Sequence, residues 1–370
     1  MIDMKLPVKL ITGENCIINN AGLLENFGRR FLLVTGASSA DSCGAVADLD
    51  SALLSFGGEY VRYSSIGANP LLSSCREAGI LGNAFGAEAV IGIGGGSALD
   101  AAKAAAVYAA NPSIDEAGFY AKGWPEKPLP IILIGTTSGT GSEITAVSVV
   151  TDSKGRKHSI SDGLLCASLA FGDYRYTESM NKALTLTTGI DAVAHCIESY
   201  VSKKATEESR QAASRGLKLL IPVISAALSG ELTSAEREKA YEGSLFGGLA
   251  IYHTGTCFPH NVGYYLTETR GIPHGFACAA FLGDLLLHTS EVSPETVRKL
   301  EEDSGAGLGE LVKLTEDVLK YSDVSAVKLT TEEIDKALPR WETAGAVKNS
   351  PGNFGTAEIR EILSSSFCDK

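Results

Sequence analysis

The hydrophobic pattern of the chain changes near residue 177. Before that point, short apolar runs bounded by Gly, Pro or Asn alternate with helical stretches at about 41–56, 70–86 and 97–110. Continuous apolar runs are typical of strands buried on both faces of a parallel sheet. The predicted strands are FLLVT (31–35), EYVRY (59–63), EAVIGIG (88–94), PIILIGT (130–136), TAVSVVT (145–151) and ASLAFGD (167–173). The last two have no long helix between them, so a local departure from strict alternation is expected there.

After residue 177 the sequence favours helices. Thr331, in TTEEIDKAL, and Thr356, ahead of AEIREIL, are the predicted starts of two of them. The sequence predicts an α/β plus all-α protein, with an N-terminal parallel-sheet domain over residues 1–177 and a C-terminal all-helical domain over 178–370. The predicted helices lie at about 181–203, 206–228, 234–252, 258–269, 274–289, 294–302, 307–321, 331–338 and 357–366.

Charge and composition exclude several classes of protein. The net charge is −12, from 32 basic and 44 acidic residues, and no long basic stripe is present, which argues against a nucleic-acid partner. The first residues carry Asp3, Lys5 and Lys9 where a signal peptide would need an apolar core, and no uncharged apolar stretch reaches 18 residues. The eight cysteines form no CxxC pair. We expect a cytoplasmic protein with reduced thiols and no membrane span.

A glycine-rich loop stands between a predicted strand and an Ala-rich helix in IGIGGGSALDAAKAAAV (91–107). A helix N-terminus offers unsatisfied N–H groups and partial positive charge, and glycines let a phosphate approach the backbone closely. The segment therefore favours a phosphate-binding loop, although its spacing matches neither GxGxxG nor GxxxxGK[ST]. The alternative is a tight turn whose small residues serve packing.

A second loop of this kind, TTSGTGSEIT (136–145), follows another predicted strand. Its alternative interpretation is a polar turn with Glu143 as a surface charge. Loops at the carboxyl ends of neighbouring parallel strands face one crevice, where open α/β sheets bind ligands. In this half the predicted nucleotide contacts are Asn69, Gly94, Gly95, Gly96, Ser97, Asp100, Thr136, Thr137, Thr140 and Lys157.

Metal-ligand candidates lie in the helical half. In TTGIDAVAHCIESYVS (187–202), Asp191 and His195 are four residues apart and so share one helix face. His260 and His274 stand in a mostly uncharged, glycine- and aromatic-rich segment, with His253 as the nearest competitor for His260. One carboxylate with three imidazoles suits Fe²⁺ or Zn²⁺ better than Ca²⁺ or Mg²⁺. The alternative for the Asp/His pair is an ordinary hydrogen bond.

Glu198 lies one helical turn beyond His195. Metal-bound imidazoles usually need a partner for their second nitrogen, so one interpretation of Glu198 is that it orients His195. A buried core carboxylate and a surface charge are the alternatives.

Four motifs carry a resemblance to a known family. GGGSALDAAK, TTSGTGSE, GIDAVAHCIESYVS and IPHG occur in the order seen in the iron-containing (group III) alcohol dehydrogenases, and the resemblance extends from about residue 30 to NSPGNFGTAEI. It implies an N-terminal dinucleotide-binding domain, a C-terminal helical metal-binding domain and a homodimer. The family's ligands are an Asp and a His four apart, then two His fourteen apart. By resemblance these are Asp191, His195, His260 and His274, which selects His260 over His253.

Two departures from the family's pattern bear on chemistry. Many relatives carry a further His where this chain has Tyr264, which could hydrogen-bond the cofactor or substrate instead. Relatives that use NAD often have an acidic residue directly after the strand at 31–35, whereas this chain has Gly36, followed by Ser38 and Ser39. A carboxylate there would repel a 2′-phosphate, so the sequence predicts contacts from these three residues and a preference for NADP(H), with NAD as the alternative.

The predicted function is metal-dependent hydride transfer between NAD(P)H and a small alcohol or aldehyde, with Fe²⁺ as the ion and Zn²⁺ as the alternative. The four ligands are also the predicted catalytic residues. Two other functions remain open: a metal lyase resembling dehydroquinate synthase, and a non-catalytic dinucleotide-binding redox protein. The lyase needs several cations around a phosphorylated substrate, but the segment 258–281 has only Arg270. Predicted substrate-pocket residues are Phe258, Tyr264, Tyr265 and Phe276.

Overall fold

The computed structural model describes residues 4–368, so Asp3 lies outside the described residues. The chain divides into two compact units between Met180 and Asn181. The first contains the strands and the second contains helices only, within the described residues. This is the predicted fold class.

A six-stranded, fully parallel sheet forms the centre of the first unit, in the order β1-β8-β5-β4-β2-β3. A separate antiparallel hairpin is formed by β6 and β7. The strands are β1 (Lys9–Thr12), β2 (Arg30–Thr35), β3 (Glu59–Tyr63), β4 (Ala89–Gly94), β5 (Ile131–Gly135), β6 (Val147–Thr151), β7 (Lys157–Ser161) and β8 (Leu169–Gly172).

All six predicted strands exist, but two strands were not predicted. β1 and β7 each combine exposed and partly buried positions and contain charged or polar residues, so neither is a continuous apolar run. The predicted strand TAVSVVT forms β6, which pairs with β7 in the hairpin and does not join the parallel sheet. The expected departure from strict alternation is this hairpin.

Seven helices accompany the sheet among the described residues. The predicted helix at 41–56 is divided, because Gly44 adopts a left-handed φ of 87° between α3 and α4. Ala-rich α6 is buried along most of its length. The helices are α1 (Cys16–Asn19), α2 (Ala21–Glu25), α3 (Ser39–Ser42), α4 (Ala45–Leu54), α5 (Leu72–Phe85), α6 (Gly96–Ala110) and α7 (Glu116–Ala121).

The second unit is built around the three long helices α8, α9 and α10, which pack against one another, and α12 packs against α8 and α11. The helices are α8 (Lys182–Val201), α9 (Glu207–Ser229), α10 (Ser234–Thr254), α11 (Phe258–Arg270), α12 (His274–Ala279), α13 (Leu282–Val292), α14 (Pro294–Ser304), α15 (Leu308–Leu319), α16 (Thr331–Ala337), α17 (Gly345–Asn349) and α18 (Thr356–Phe367). The single helix predicted at 274–289 is wrong, because the chain turns between Ala279 and Leu282.

The start of α16 differs by one residue from the prediction. Thr330, and not Thr331, is the N-cap: its Oγ1 accepts the Glu333 N–H at 3.2 Å, while Glu333 Oε2 accepts the Thr330 N–H at 2.8 Å. This reciprocal pair is a capping box, which needs a spacing of three residues. Thr356 does begin α18.

One helix among the described residues, α9, is long and apolar enough by length and composition to cross a membrane. Of its most apolar window, 56% is buried inside the structure. Core helices of globular proteins have the same composition, and α9 packs against α8 and α10.

Candidate metal and nucleotide sites

Three helices of the second unit supply the predicted metal ligands. Asp191 and His195 lie one turn apart on α8 and are both buried. His260 lies in the first turn of α11, and His274 is the first residue of α12, directly after Pro273. Since α12 packs against both α8 and α11, residues distant in sequence come together here.

The three predicted histidine ligands converge on one carboxylate oxygen of the fourth, Asp191. Asp191 Oδ1 lies 3.4 Å from His260 Nε2, 3.8 Å from His274 Nε2 and 3.9 Å from His195 Nε2. Asp191 Oδ1 and His260 Nε2 are both buried and neither makes a hydrogen bond within the described residues. Ligands held tetrahedrally at about 2.0–2.2 Å from one Zn²⁺ lie roughly 3.4 Å apart. Both the spacing and the unsatisfied buried atoms therefore fit a bound divalent ion.

The surroundings of Asp191 keep its carboxyl group ionised. Burial alone would raise the pKa of this group, but the charge that His195 and His274 can carry, together with His260, holds the pKa well below its usual range. A carboxylate ligand must be deprotonated to bind a metal, so this is the form the site requires.

Glu198 orients one of the predicted ligands, but not the one expected. Its Oε1 lies 2.5 Å from Nδ1 of His260, and its Oε2 accepts the Cys257 N–H at 2.7 Å. The interpretation that it pairs with His195 is thus wrong, and so is that of a surface charge, because Glu198 is fully buried. Although α8 carries Glu198 one turn beyond His195, the start of α11 lies closer to the carboxylate.

Cys278 is a donor that the sequence reasoning missed. Its sulfur lies 3.5 Å from Nδ1 and 3.7 Å from Nε2 of His274. Donor atoms of Asp191, His260, His274 and Cys278 all lie within 4.8 Å of one another. His195 is not a member of this group but stacks on the His260 ring, with centroids 4.6 Å apart. The one sequence feature that could have identified Cys278 is its spacing of four from His274, which places both residues on one helix face.

The aromatic residues predicted to line the substrate pocket have different positions. Tyr264 stacks on the His274 ring at 5.2 Å and thus stands beside the ligands. Phe258, by contrast, is fully buried and stacks on Phe354 at 4.2 Å, which is a core contact. Tyr265 packs edge-on against Trp341.

In the first unit the two glycine loops touch each other. A Cβ on Gly95 would lie 3.0 Å from Thr137 Cγ2, and one on Gly96 would lie 2.5 Å from Thr140 Cγ2. The loops follow β4 and β5, which are neighbours in the sheet. Gly94 has a φ of 151°. The two loops can therefore approach this closely only with glycine at positions 95 and 96. Ser97 follows these glycines in the first turn of α6.

Asp100 belongs to a polar network behind the second loop. Its Oδ1 accepts the Ser142 hydroxyl at 2.6 Å and its Oδ2 accepts the Val149 N–H at 3.0 Å. Lys103, which the sequence reasoning passed over, is fully buried and donates to the Ser142 carbonyl at 2.8 Å. Glu143 is also buried, so the interpretation of it as a surface charge is wrong. These contacts anchor the second loop at Ser142 and the strand β6 that follows it.

The remaining predicted nucleotide contacts lie in turns and at a strand end. Gly36 directly follows β2, and a Cβ there would lie 3.7 Å from Ser39 Oγ. Ser38 and Ser39 are exposed at the start of α3. Asn69 has a φ of 56°, and its carbonyl accepts the Thr151 hydroxyl. Thr136 is buried directly after β5 and Lys157 is the first residue of β7.

Comparison with known proteins identifies the family. The model of the iron-containing alcohol dehydrogenases matches residues 7–174, and that of the C-terminal domain of the Fe-containing alcohol dehydrogenase family matches residues 185–367. The chain belongs to this family. The predicted family and fold class are therefore confirmed, and with them the predicted class of activity, an NAD(P)-dependent alcohol dehydrogenase or aldehyde reductase.

Individual relatives agree with this assignment. The chain is 33% identical over 278 residues to sulfoacetaldehyde reductase from Bilophila wadsworthia, covering 74% of this chain and 72% of the relative. It matches the crystal structure of an iron-containing alcohol dehydrogenase from Thermotoga maritima with a TM-score of 0.89 and 30% identity, over 99% of both chains. It also matches sulfoacetaldehyde reductase from Bifidobacterium kashiwanohense in complex with NAD⁺, with a TM-score of 0.87 and 26% identity over 99% of this chain and 98% of that one.

Proposed function

We propose that this protein interconverts small alcohols and aldehydes with NADP(H), using a divalent ion held by Asp191, His195, His260 and His274. The observation that carries the proposal is the position of Asp191 Oδ1, which has three imidazole Nε2 atoms within 3.9 Å. In the overall reaction the alcohol loses a hydride to the nicotinamide and a proton to solvent, which gives the aldehyde.

The chain's own residues build the environment of this reaction. Glu198 accepts a hydrogen bond from Nδ1 of His260, which directs Nε2 toward Asp191 as the nitrogen that would bind the ion. The bound ion supplies Lewis acidity, which stabilises negative charge on the substrate oxygen. Tyr264, stacked on His274, places a hydroxyl-bearing ring beside the ligands where many relatives have a histidine.

The nucleotide is proposed to bind along the two touching glycine loops. Gly95 and Gly96 open α6, whose first N–H groups can bond phosphate oxygens. Hydroxyl groups of Thr136, Thr137 and Thr140 belong to the adjacent loop. Asn69, Ser97, Asp100 and Lys157 complete the proposed set, with Asp100 acting through the network that anchors the second loop.

A preference for NADP(H) over NAD(H) is the finer part of the proposal. Its support is the turn after β2, which presents Gly36, Ser38 and Ser39 and no carboxylate directly after the strand. Ratios of kcat/KM for NADPH and NADH test it. A tenfold or greater advantage for NADH would overturn the preference without touching the reaction itself.

The reaction is tested on protein stripped of metal and reloaded with Fe²⁺ or Zn²⁺, with Fe²⁺ proposed as the native ion. A panel of short alcohols, diols and aldehydes is offered with each nucleotide, and nucleotide absorbance at 340 nm is followed. We expect net oxidation or reduction that depends on the metal. If no substrate gives net oxidation or reduction of the nucleotide, the proposal is refuted. The two alternatives, a metal lyase and a non-catalytic dinucleotide-binding protein, would then explain the fold and the site.

The alternative function, a metal lyase acting on a phosphorylated substrate, is not supported by the basic residues near the predicted ligands. Arg270 is the one Lys or Arg in 258–281, and it donates to Glu333 at 2.6 Å and to the Lys328 carbonyl. A single guanidinium falls short of the several cations that a phosphorylated substrate would need.

We also propose a cytoplasmic homodimer. All eight cysteines are free thiols, five of them buried, as in proteins of reducing compartments. Light scattering coupled to size-exclusion chromatography tests the dimer, and a mass near 38.7 kDa would exclude it. Fractionation of the producing cells tests the compartment.

A further inference from the structure

Arg62 brings a guanidinium to the turn that follows β2. β2 and β3 pair in parallel, with Arg62 opposite Leu33. Nε and Nη2 of Arg62 donate to Thr35 Oγ1 at 3.1 and 3.0 Å. Nη1 and Nη2 donate to the two carboxylate oxygens of Asp41 at 2.7 and 2.5 Å. Since Thr35 ends β2 and Asp41 lies in α3, the guanidinium is tied to both ends of the turn 36–40.

The turn after β2 contains no basic residue of its own. Residues 36–40 are Gly-Ala-Ser-Ser-Ala, so the sequence offers hydroxyls there but no positive charge. The neighbouring strand supplies the charge from Arg62, 26 residues beyond Gly36. In dinucleotide-binding sheets, an arginine near this turn is the group that accommodates a 2′-phosphate.

The guanidinium retains the capacity to bind a further ligand. An arginine has five N–H donors, and the four bonds to Thr35 and Asp41 use four of them. The Arg62 side chain is 22% exposed, so a ligand can reach it from solvent. The bidentate bond to Asp41 fixes the plane of the guanidinium and removes the entropy cost of ordering it later.

We infer that Arg62 binds the 2′-phosphate of NADP(H), and that Asp41 is a positioning residue which also limits the affinity. The inference rests on the proposed nucleotide site and names its specificity-determining residue. Asp41 holds Arg62 in place, but its negative charge repels a phosphate dianion on the same guanidinium. The two residues should therefore act in opposite directions on binding of the 2′-phosphate.

The test measures binding of nucleotide fragments by calorimetry to the full chain. The probes are 2′,5′-ADP, which carries the 2′-phosphate, and 5′-AMP, which lacks it. In Arg62→Gln we expect affinity for 2′,5′-ADP to fall about tenfold or more, the effect of losing one charge-assisted hydrogen bond, with 5′-AMP unchanged. In Asp41→Asn we expect the affinity for 2′,5′-ADP relative to 5′-AMP to rise.

Arg29→Gln is the matched control. Arg29 precedes β2 at its opposite end and pairs with Glu25 at 3.4 Å, so the variant removes the same charge from the same unit. It should bind both probes as the unsubstituted protein does. Arg62→Lys keeps the charge but loses the planar fork, and we expect it to bind 2′,5′-ADP more weakly than the unsubstituted protein.

The outcomes separate this inference from the proposed function. An unchanged ratio of 2′,5′-ADP to 5′-AMP affinity in Arg62→Gln overturns the inference, even where the enzyme oxidises alcohols. If Arg62→Gln does not fold, a lower ratio in Asp41→Asn overturns it. If the protein does not turn over alcohols, the proposed function is refuted. The role of Arg62 can still be tested, because binding of the nucleotide fragments needs neither metal nor substrate.

Discussion

Nδ1 of His260 lies 2.5 Å from Oε1 of Glu198, and this buried contact determines which nitrogen of the imidazole faces Asp191. Because a carboxylate only accepts, Nδ1 carries the proton of this contact, and Nε2 is the nitrogen that would bind a metal. The pair links α8, which carries Glu198, to the first turn of α11. It therefore fixes the His260 ring with Nε2 toward Asp191.

Glu198→Gln should lower metal affinity about 10–100-fold, because a neutral amide orients and polarises His260 less strongly than a carboxylate. The side chain keeps its size, and its oxygen can still accept the Cys257 N–H, so we expect the fold to survive. Competition with a chromophoric chelator measures the affinity. Glu301→Gln, which alters a carboxylate bonded to the Leu308 N–H in the same unit, is the control. Equal affinities in the two variants would contradict a role for Glu198.

His274→Ala should lose both the bound metal and turnover, because it removes one of the imidazoles around Asp191. His253→Ala is the matched control, since His253 is exposed at the end of α10. Metal content per chain after dialysis, measured together with activity, checks both variants. Full metal content and activity in His274→Ala would remove this residue from the proposed ligand set.

The sequence predicted a set of residues that the structure also places close together, but it did not predict their contacts. The family's spacings of four and fourteen selected the predicted histidines, but spacing carries no information on which ring a neighbouring carboxylate reaches. Glu198 was therefore assigned to its helical neighbour His195, whereas packing of α11 on the second unit brings His260 to it. Cys278 was missed because a lone cysteine beside small residues has the pattern of a core position.

For the fold as well, the sequence predicted the buried elements but not those that depend on pairing with other parts of the chain. Strands buried on both faces, such as Ala89–Gly94, are readable because burial requires a continuous apolar run. The strands β1 and β7 lie at an edge of the sheet and in a hairpin, where one side remains partly exposed and polar residues are tolerated. Arg62 illustrates the consequence for function, because only strand pairing places it beside a turn that ends about 22 residues earlier in the chain.

Gly96→Ala should destabilise the first unit by roughly 1–3 kcal/mol and weaken nucleotide binding, because the new Cβ would meet Thr140 Cγ2 at 2.5 Å. Helix propensity alone predicts the opposite sign, since alanine favours the first turn of α6 over glycine by up to about 1 kcal/mol. Denaturant unfolding and calorimetry with NADP⁺ measure the two effects. In the control Gly163→Ala the Cβ would meet nothing within 4 Å. If Gly96→Ala is as stable as Gly163→Ala, the two glycine loops can move apart without cost and the prediction is contradicted.

Asp284→Asn should stabilise the protein above pH 6 and have little effect below pH 4. Burial in the first turn of α13 raises the pKa of the Asp284 carboxyl from 3.8 to about 6. The folded state therefore holds this proton more tightly than the unfolded chain, so its contribution to stability is complete below pH 4 and is lost as the pH rises through 6. The shift corresponds to at most about 3 kcal/mol. Chemical unfolding of both proteins between pH 4 and 8 measures the difference, which should grow up to about pH 6 and then level off. A difference that does not change with pH would show that Asp284 titrates normally.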